Sequence, residues 1–306
     1  MNLELTSLHL FIRVAALGAI GRAGEELGLS RTNASQRIQM LEAELGVSLF
    51  NRTTRAVSLT ADGERFLIHA ARILDDVEAA RIDLSSASHR ISGLVRVTAS
   101  AAFGETHIVP FVPEFLAAYP DITLDLNLSD AIVDIVEQGY DLAYRIASLE
   151  SSSLVAQKVD DDPRWLVASP DYVARHGAPV SPDDLSAHMC LPLGDIRTWS
   201  LRDSKGAVSE VRVKGPVKIN MGGALHQWLL SGMGIGLAAL WYVGPALKAG
   251  KLVRILPDHT PWPQTKIWAI RPPGRAMPLR VKAFMDFMNS RILHTNTAQY
   301  GDLDGL

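Results

Sequence analysis

Ser30-Arg31-Thr32-Asn33-Ala34-Ser35-Gln36-Arg37-Ile38-Gln39-Met40-Leu41-Glu42-Ala43-Glu44-Leu45-Gly46 is the stretch on which the fold turns. Ser30 is placed to cap a helix and Gly46 to stop it. Between them Ala34, Ile38, Leu41 and Leu45 recur at intervals of four, three and four, which makes one buried seam. At 100° per residue the opposite side carries Thr32, Gln36, Gln39 and, at its edge, Asn33. Amide and hydroxyl groups on one helical face suit the donor and acceptor edges of a DNA major groove. Three packed helices with an idle outer surface would give the same pattern.

Working outward, Leu8, Phe11, Val14, Ala15 and Gly18 share a face, which predicts a helix over 8–17 with Ser7 as its cap. A second short helix is predicted over 22–27, stopped at Gly28. After Gly46, the run Leu49-Phe50-Asn51-Arg52-Thr53-Thr54-Arg55-Ala56-Val57-Ser58-Leu59-Thr60 alternates weakly, with Arg52 and Arg55 near a hairpin tip. It reads as a two-stranded wing whose arginines reach phosphates or the minor groove. Arg31, Arg37, Arg52 and Arg55 face only Glu42 and Glu44 in the window 31–55. Guanidinium grips phosphate with two parallel hydrogen bonds. Charge alone, however, describes a solvated helical face first and does not establish nucleic-acid binding.

These residues resemble the N-terminal module of a LysR-type transcriptional regulator. The resemblance rests on Gly18-Ala19-Ile20-Gly21-Arg22-Ala23, Leu27-Gly28-Leu29-Ser30, Ser35, Ile38, Leu41-Glu42, Leu45-Gly46, Leu49-Phe50, Arg52-Thr53, and Leu59-Thr60 with Gly63. It implies a winged helix–turn–helix with 30–45 as the recognition helix. Thr32, Asn33 and Gln36 would then read base edges, while Arg31, Ser35, Arg37, Arg52 and Arg55 set phosphate register. The chain departs from the family at Ala19-Ile20-Gly21, where members carry Ser, Phe and Thr or Ser. It departs again at Arg31-Thr32-Asn33-Ala34, where they carry Gln-Pro-Ala-Val, and at Gln36 and Arg37.

From Ala61 to about Ser88 no proline occurs, and Phe66, Ala70, Ile73, Val77, Ala80 and Leu84 repeat at heptad spacing. The seam fits a helix paired with a second copy or one packed on its own module. The resemblance implies the first, a linker helix that joins two DNA modules. Gly93 marks the boundary beyond it. The expected domains are 1–60, the linker 61–90, and an effector-binding domain over 91–306.

That last part alternates strand and helix patterns. Strands are predicted over 94–100, 122–128, 141–146, 165–168, 217–220, 235–240 and 266–271. Helices are predicted over 106–119, 131–138, 170–176, 222–231, 242–249 and 279–293. The order predicts an α/β fold with largely parallel sheets, and its restart near Trp165 suggests two lobes. The resemblance implies a periplasmic-binding-protein-like body, with lobe I over 91–164 and 266–306 and lobe II over 165–265. The Asp141-Leu142-Ala143-Tyr144-Arg145 strand with Ser152-Ser153-Leu154 is similar to one large subgroup, in which this strand abuts the cleft. Ligands in open α/β sheets sit at strand carboxyl ends. Ser100, Ser129 and Arg145 stand at three such ends, and Asn220 with Gly222 could supply a helix start from the other lobe. Together they would bind a small anionic metabolite. Alternatively, the serines are caps and Arg145 pairs with Asp141 or Glu137.

The 306 residues, 47% hydrophobic and 21% charged with a formal charge of −3, exclude a disordered chain. One cysteine, Cys190, excludes an internal disulfide and reads as core. The start has no basic segment leading an apolar core, and no apolar run reaches membrane length, so a cytoplasmic location with no membrane partner is expected. Gly232-Met233-Gly234-Ile235-Gly236 precedes a strand rather than following one, and no Gly-x-Ser-x-Gly, His-Glu-x-x-His or Cys-x-x-Cys occurs. His107, His188 and His226 lack metal-ligand spacing, so neither cofactor nor metal is expected. The expected function is a DNA-binding, effector-responsive regulator that is not an enzyme. Its expected partners are double-stranded promoter DNA, a small effector and further copies of itself as dimer or tetramer. The alternative is a small-molecule-binding α/β protein or enzyme with no DNA role.

Overall fold

The computed structural model describes residues 4–52, 57–84, 91–148, 155–272 and 277–301. It forms two compact units, one chiefly Met1–Arg90 and one chiefly Ile91–Leu306.

The first unit contains α1 (Leu5–Leu17), α2 (Ile20–Glu26), α3 (Arg31–Leu45), β1 (Phe50–Arg52), β2 (Val57–Leu59) and α4 (Ala61–Leu84). Ser7 does not cap α1. It lies buried inside the helix, and Glu4 occupies the cap position without a side-chain bond. The second helix begins at Ile20, two residues earlier than its periodicity suggests, and Ile20 packs on the module's core. Where α2 meets α3, a Cβ on Gly24 would stand 2.6 Å from the Ala34 Cβ, so only glycine permits the approach. Antiparallel β1 and β2 pair Phe50 with Leu59 and Arg52 with Val57, making the expected wing. Glu42 on α3 holds it, accepting from the backbone of Leu49 at 2.8 Å and Phe50 at 3.1 Å. Arg55 lies outside the described residues, as do the side chains of Arg52, Ala80 and Leu84.

The α4 seam divides between two tasks. Ala70 has no exposed surface, and Phe66 and Ile73 pack against the same core, where the Phe66 ring lies 5.2 Å from that of Phe11. Ala70 therefore has nothing to offer a second chain. Its expected place in a dimer seam is corrected to the core of its own module. Val77 is half-buried and falls outside that core.

The second unit opens with β3 (Gly93–Ala99), α5 (Ala101–His107), a 3-10 turn over Val109–Phe111, α6 (Val112–Ala118) and β4 (Ile122–Leu128). The helix expected over 106–119 is two helices, because Pro110 and Pro113 each lack an amide hydrogen. No helix forms over 131–138. The segment turns, with the Asp134 carboxylate accepting from Val136 N at 2.8 Å in place of a helical bond. There follow β5 (Leu142–Ala147), β6 (Val155–Asp162), β7 (Arg164–Ala168), α7 (Pro170–His176), β8 (Thr198–Asp203) and β9 (Val208–Arg212). The chain ends with α8 (Gly222–Leu230), β10 (Gly236–Ala239), α9 (Leu240–Lys248), β11 (Val253–Ile255), β12 (His259–Pro261), β13 (Thr265–Arg271) and α10 (Leu279–Gly301). The strand expected over 217–220 is reduced to one parallel bridge between Leu193 and Ile219.

One lobe has a five-stranded sheet in the order β4-β3-β5-β13-β6, and the other has the sheets β10-β7-β11 and β12-β8-β9. Among the strands of the described residues, only β3 with β4 and β5 pair in parallel. The five-stranded sheet is therefore mixed and the two three-stranded sheets are antiparallel, rather than largely parallel. Strand β13 returns from the second lobe to lie antiparallel to β5 and β6, and β8 with β9 is a hairpin needing no crossover helix. Backbone passes between the lobes at Asp162-Pro163-Arg164 and again before Thr265.

Candidate functional site

Two places concentrate the sequence-selected residues. On α3, Ser30 Oγ accepts from Asn33 N at 3.2 Å, and Gly46 ends the helix in the left-handed region at φ 69°. Ala34, Ile38 and Leu41 are buried, while Arg31, Thr32, Asn33, Gln36 and Gln39 are exposed and Ser35 and Arg37 half-buried. A helix so anchored on one side presents its polar groups outward at fixed spacing. Arg37 is also ion-paired with Glu4, so part of its charge is answered within the chain.

The second place is a cavity of about 230 Å3 in the larger unit. From one lobe Ser100, Phe103, Asp130 and Ile146 line it; from the other come Arg164, Asn220, Gly222, His226, Trp241 and Tyr242. Three of the five expected effector residues, Ser100, Asn220 and Gly222, thus stand on its wall. Ser100 precedes α5 without making a capping bond, and the Asp130 carboxylate instead accepts from Ala101 N at 3.0 Å.

Ser129 and Arg145 are not on that wall. Arg145 directs Nη1 to Ser129 O at 2.9 Å and Nη2 to Thr98 Oγ1 at 3.0 Å. Ser129 Oγ accepts from Ala131 N at 3.2 Å. Burial lowers the Arg145 pKa from its ordinary value. The arginine thus ties together the carboxyl ends of β3, β4 and β5.

Sequence reasoning missed the group that organises the cavity floor. The Asp162 carboxylate is fully buried and accepts three bonds: from Arg164 Nε at 2.6 Å, Trp241 Nε1 at 2.8 Å and Thr265 Oγ1 at 2.6 Å. These donors come from the start of β7, from α9 and from the start of β13. Asp162-Pro163-Arg164 carries no motif, so nothing in local spacing marks it. His107 lies behind the wall, stacked on Phe103 at 4.7 Å and edge-on to Trp241 at 5.1 Å. Its Nε2 lies 2.8 Å from Asn296 Oδ1, and Asn296 Nδ2 donates to Asp160 at 2.8 Å. Burial lowers the pKa of His107, and also that of His226, whose ring meets Tyr242 edge-on at 5.0 Å. Cys190 is buried, and desolvation pushes its thiol up to about 12. Among the described residues no group of three or more His, Cys, Asp or Glu could hold a metal, and no helix is long and apolar enough to cross a membrane.

A winged helix–turn–helix with an outward polar face, followed by a two-lobed α/β domain around a small cavity, defines a DNA-binding regulator with an effector domain. Residues 5–64 match the family described as "Bacterial regulatory helix-turn-helix protein, lysR family", and 88–292 match the "LysR substrate binding domain". The chain is 35% identical over 288 residues to the HTH-type transcriptional regulator DmlR of Escherichia coli strain K12, covering 93% of each. It is 33% identical over 280 residues to the HTH-type transcriptional activator TtdR of the same strain, covering 90% of this chain and 89% of that one. The solved structure of CrgA, a LysR-type transcriptional regulator from Neisseria meningitidis, superposes with a TM-score of 0.60 at 30% identity, over 94% of this chain and 99% of that one. The chain belongs to the LysR family of DNA-binding transcriptional regulators.

Proposed function

We propose that this regulator reads operator DNA through α3. Thr32, Asn33 and Gln36 contact base edges, and Arg31, Ser35, Arg37, Arg52 and Arg55 hold phosphates. Val77, Ala80 and Leu84, beyond the part of α4 that serves its own module, pair two copies, and a dimer of dimers sets the half-site spacing. The working parts are the DNA module over 1–60, the linker over 61–90 and the effector domain over 91–306, divided into lobes 91–164 with 266–306 and 165–265. The protein acts in the cytoplasm and catalyses no reaction. A small anionic metabolite in the cavity meets Ser100, Asn220 and Gly222, while Arg145 and Ser129 brace the strand ends. It changes the angle between the lobes, and does so only as far as it binds one arrangement more tightly than the other.

The observation that carries this reading is the sidedness of α3, with a seam of Ala34, Ile38 and Leu41 under the core and Asn33 and Gln36 in the open. Selection of duplexes from a random pool by the full chain, followed by a salt titration on the enriched sequence, tests it. A steep fall of log K with log salt is expected, with Arg31→Ala lowering the slope by about one and Gln36→Ala flattening base preference at one position. No enriched sequence, or affinity indifferent to salt, would overturn it.

A further inference from the structure

We infer that the cavity takes a small monocarboxylic acid with a compact apolar body, received by the guanidinium of Arg164. This inference rests on the regulator reading and names the chemical class of its effector.

Arg164 stands on the cavity wall, and its Nε is bound to Asp162 at 2.6 Å. Asp162 cannot swing away to free it, because the same buried carboxylate holds Trp241 Nε1 and Thr265 Oγ1. The plane of the guanidinium is thereby fixed. Among the described residues its two Nη atoms have no protein acceptor. A fixed fork with two free donors matches the paired acceptors of a carboxylate, whereas a carboxamide would set an N–H2 against one of them. Arg145, the arginine that strand-end reasoning selects, differs in the same terms. Its Nη atoms are bound to Ser129 O and Thr98 Oγ1, and it is not on the wall.

The rest of the wall limits what is attached to the acid. Asp130 lines the cavity too, and it would repel a second carboxylate. Phe103, Trp241, Leu225 and Val243 offer apolar surface to the ligand's body. At about 230 Å3 the space falls below the roughly 300–1,000 Å3 usual for drug-sized ligands, which fits one ring or a short branched chain. Asp162 already balances the charge of Arg164, so the fork selects by geometry and hydrogen bonding more than by net charge.

Calorimetric titration of the full chain with benzoate, benzamide and succinate is the test. Benzoate is expected to bind tighter than either of the others by about tenfold or more, the scale of one charge-assisted hydrogen bond. The double variant Asp162→Asn with Arg164→Gln keeps an acceptor for Trp241 Nε1 and sets an amide N–H2 that the Thr265 hydroxyl can accept, while removing the fork. It is expected to lose that benzoate preference and to keep its benzamide affinity. Should it fail to fold, Arg164→Lys retains a partner for Asp162 without the planar fork, and the same loss is expected. Asp130→Asn is expected to narrow the gap between benzoate and succinate. Equal binding of benzoate and benzamide by the unaltered chain, saturable binding of none of the three, or benzoate preference surviving in both Arg164 variants would each overturn the assignment. Duplex binding measured on the same preparations separates the two readings. If it stays salt-dependent while the benzoate arm fails, the fork is removed and the regulator reading stands; if both fail, the regulator reading falls as well.

Discussion

The outer face of α3 and the floor of the cavity use polar side chains in opposite ways. On α3, Thr32, Asn33 and Gln36 are open to water, and the helix is positioned wholly by what lies beneath it. Around Asp162 the polar atoms are taken out of water and satisfied by one another. An exposed polar face can be exchanged at little cost to folding, so it is free to vary with the DNA sequence it meets. A buried network cannot, because any member removed leaves its partners without a bond. The difference separates where this protein can tolerate change from where it cannot.

The largest effect that would sharpen this contrast is at Asp162. Asp162→Ala leaves Arg164, Trp241 and Thr265 without their acceptor and is expected to cost about 3 kcal/mol, read as a lowered unfolding midpoint in urea. A cost no larger than that of an exposed acid would break the comparison. Next in size, Ser30→Ala removes the acceptor for Asn33 N and is expected to destabilise by about 1 kcal/mol, with a matching loss of helical circular dichroism at intermediate denaturant. The smallest is Glu4→Gln, which breaks the exposed pair with Arg37. Less than about 1 kcal/mol of stability should be lost, while Arg37, released, should steepen the salt dependence of duplex binding. An unchanged slope would show that Arg37 does not reach phosphate.

Legibility followed the same division. The cap at Ser30, the stop at Gly46 and the seam between them are local features, and the structure keeps both ends to the residue and buries Ala34, Ile38 and Leu41, with Leu45 half-buried. The helix expected over 131–138 failed locally too, since Asp134 offers Val136 N a nearer acceptor than the helix would. Errors of another kind arise where chain-distant groups meet. Heptad spacing in α4 did not reveal that Ala70 faces the core built by Phe11 and Ile38. Strand-end reasoning selected Arg145, which lies inside β5, and did not consider Arg164, which opens β7. What distinguishes them is partnering: Arg145 spends its Nη atoms on Ser129 O and on Thr98, 47 positions away, whereas Arg164 is bound through Nε to Asp162, itself held by Thr265 from 103 positions away.

By itself the sequence determined that there is an N-terminal helix–turn–helix with a polar outward side, a long helix after it and an alternating α/β body. Periodicity, caps and glycine stops act over a few residues, and such short-range rules survive folding. Only the tertiary structure decided which arginine keeps its donors free, which half of α4 serves its own module, and how Asp162 joins both crossings between the lobes. Those outcomes depend on which polar groups burial brings within about 3 Å of one another, and spacing along the chain does not encode that proximity.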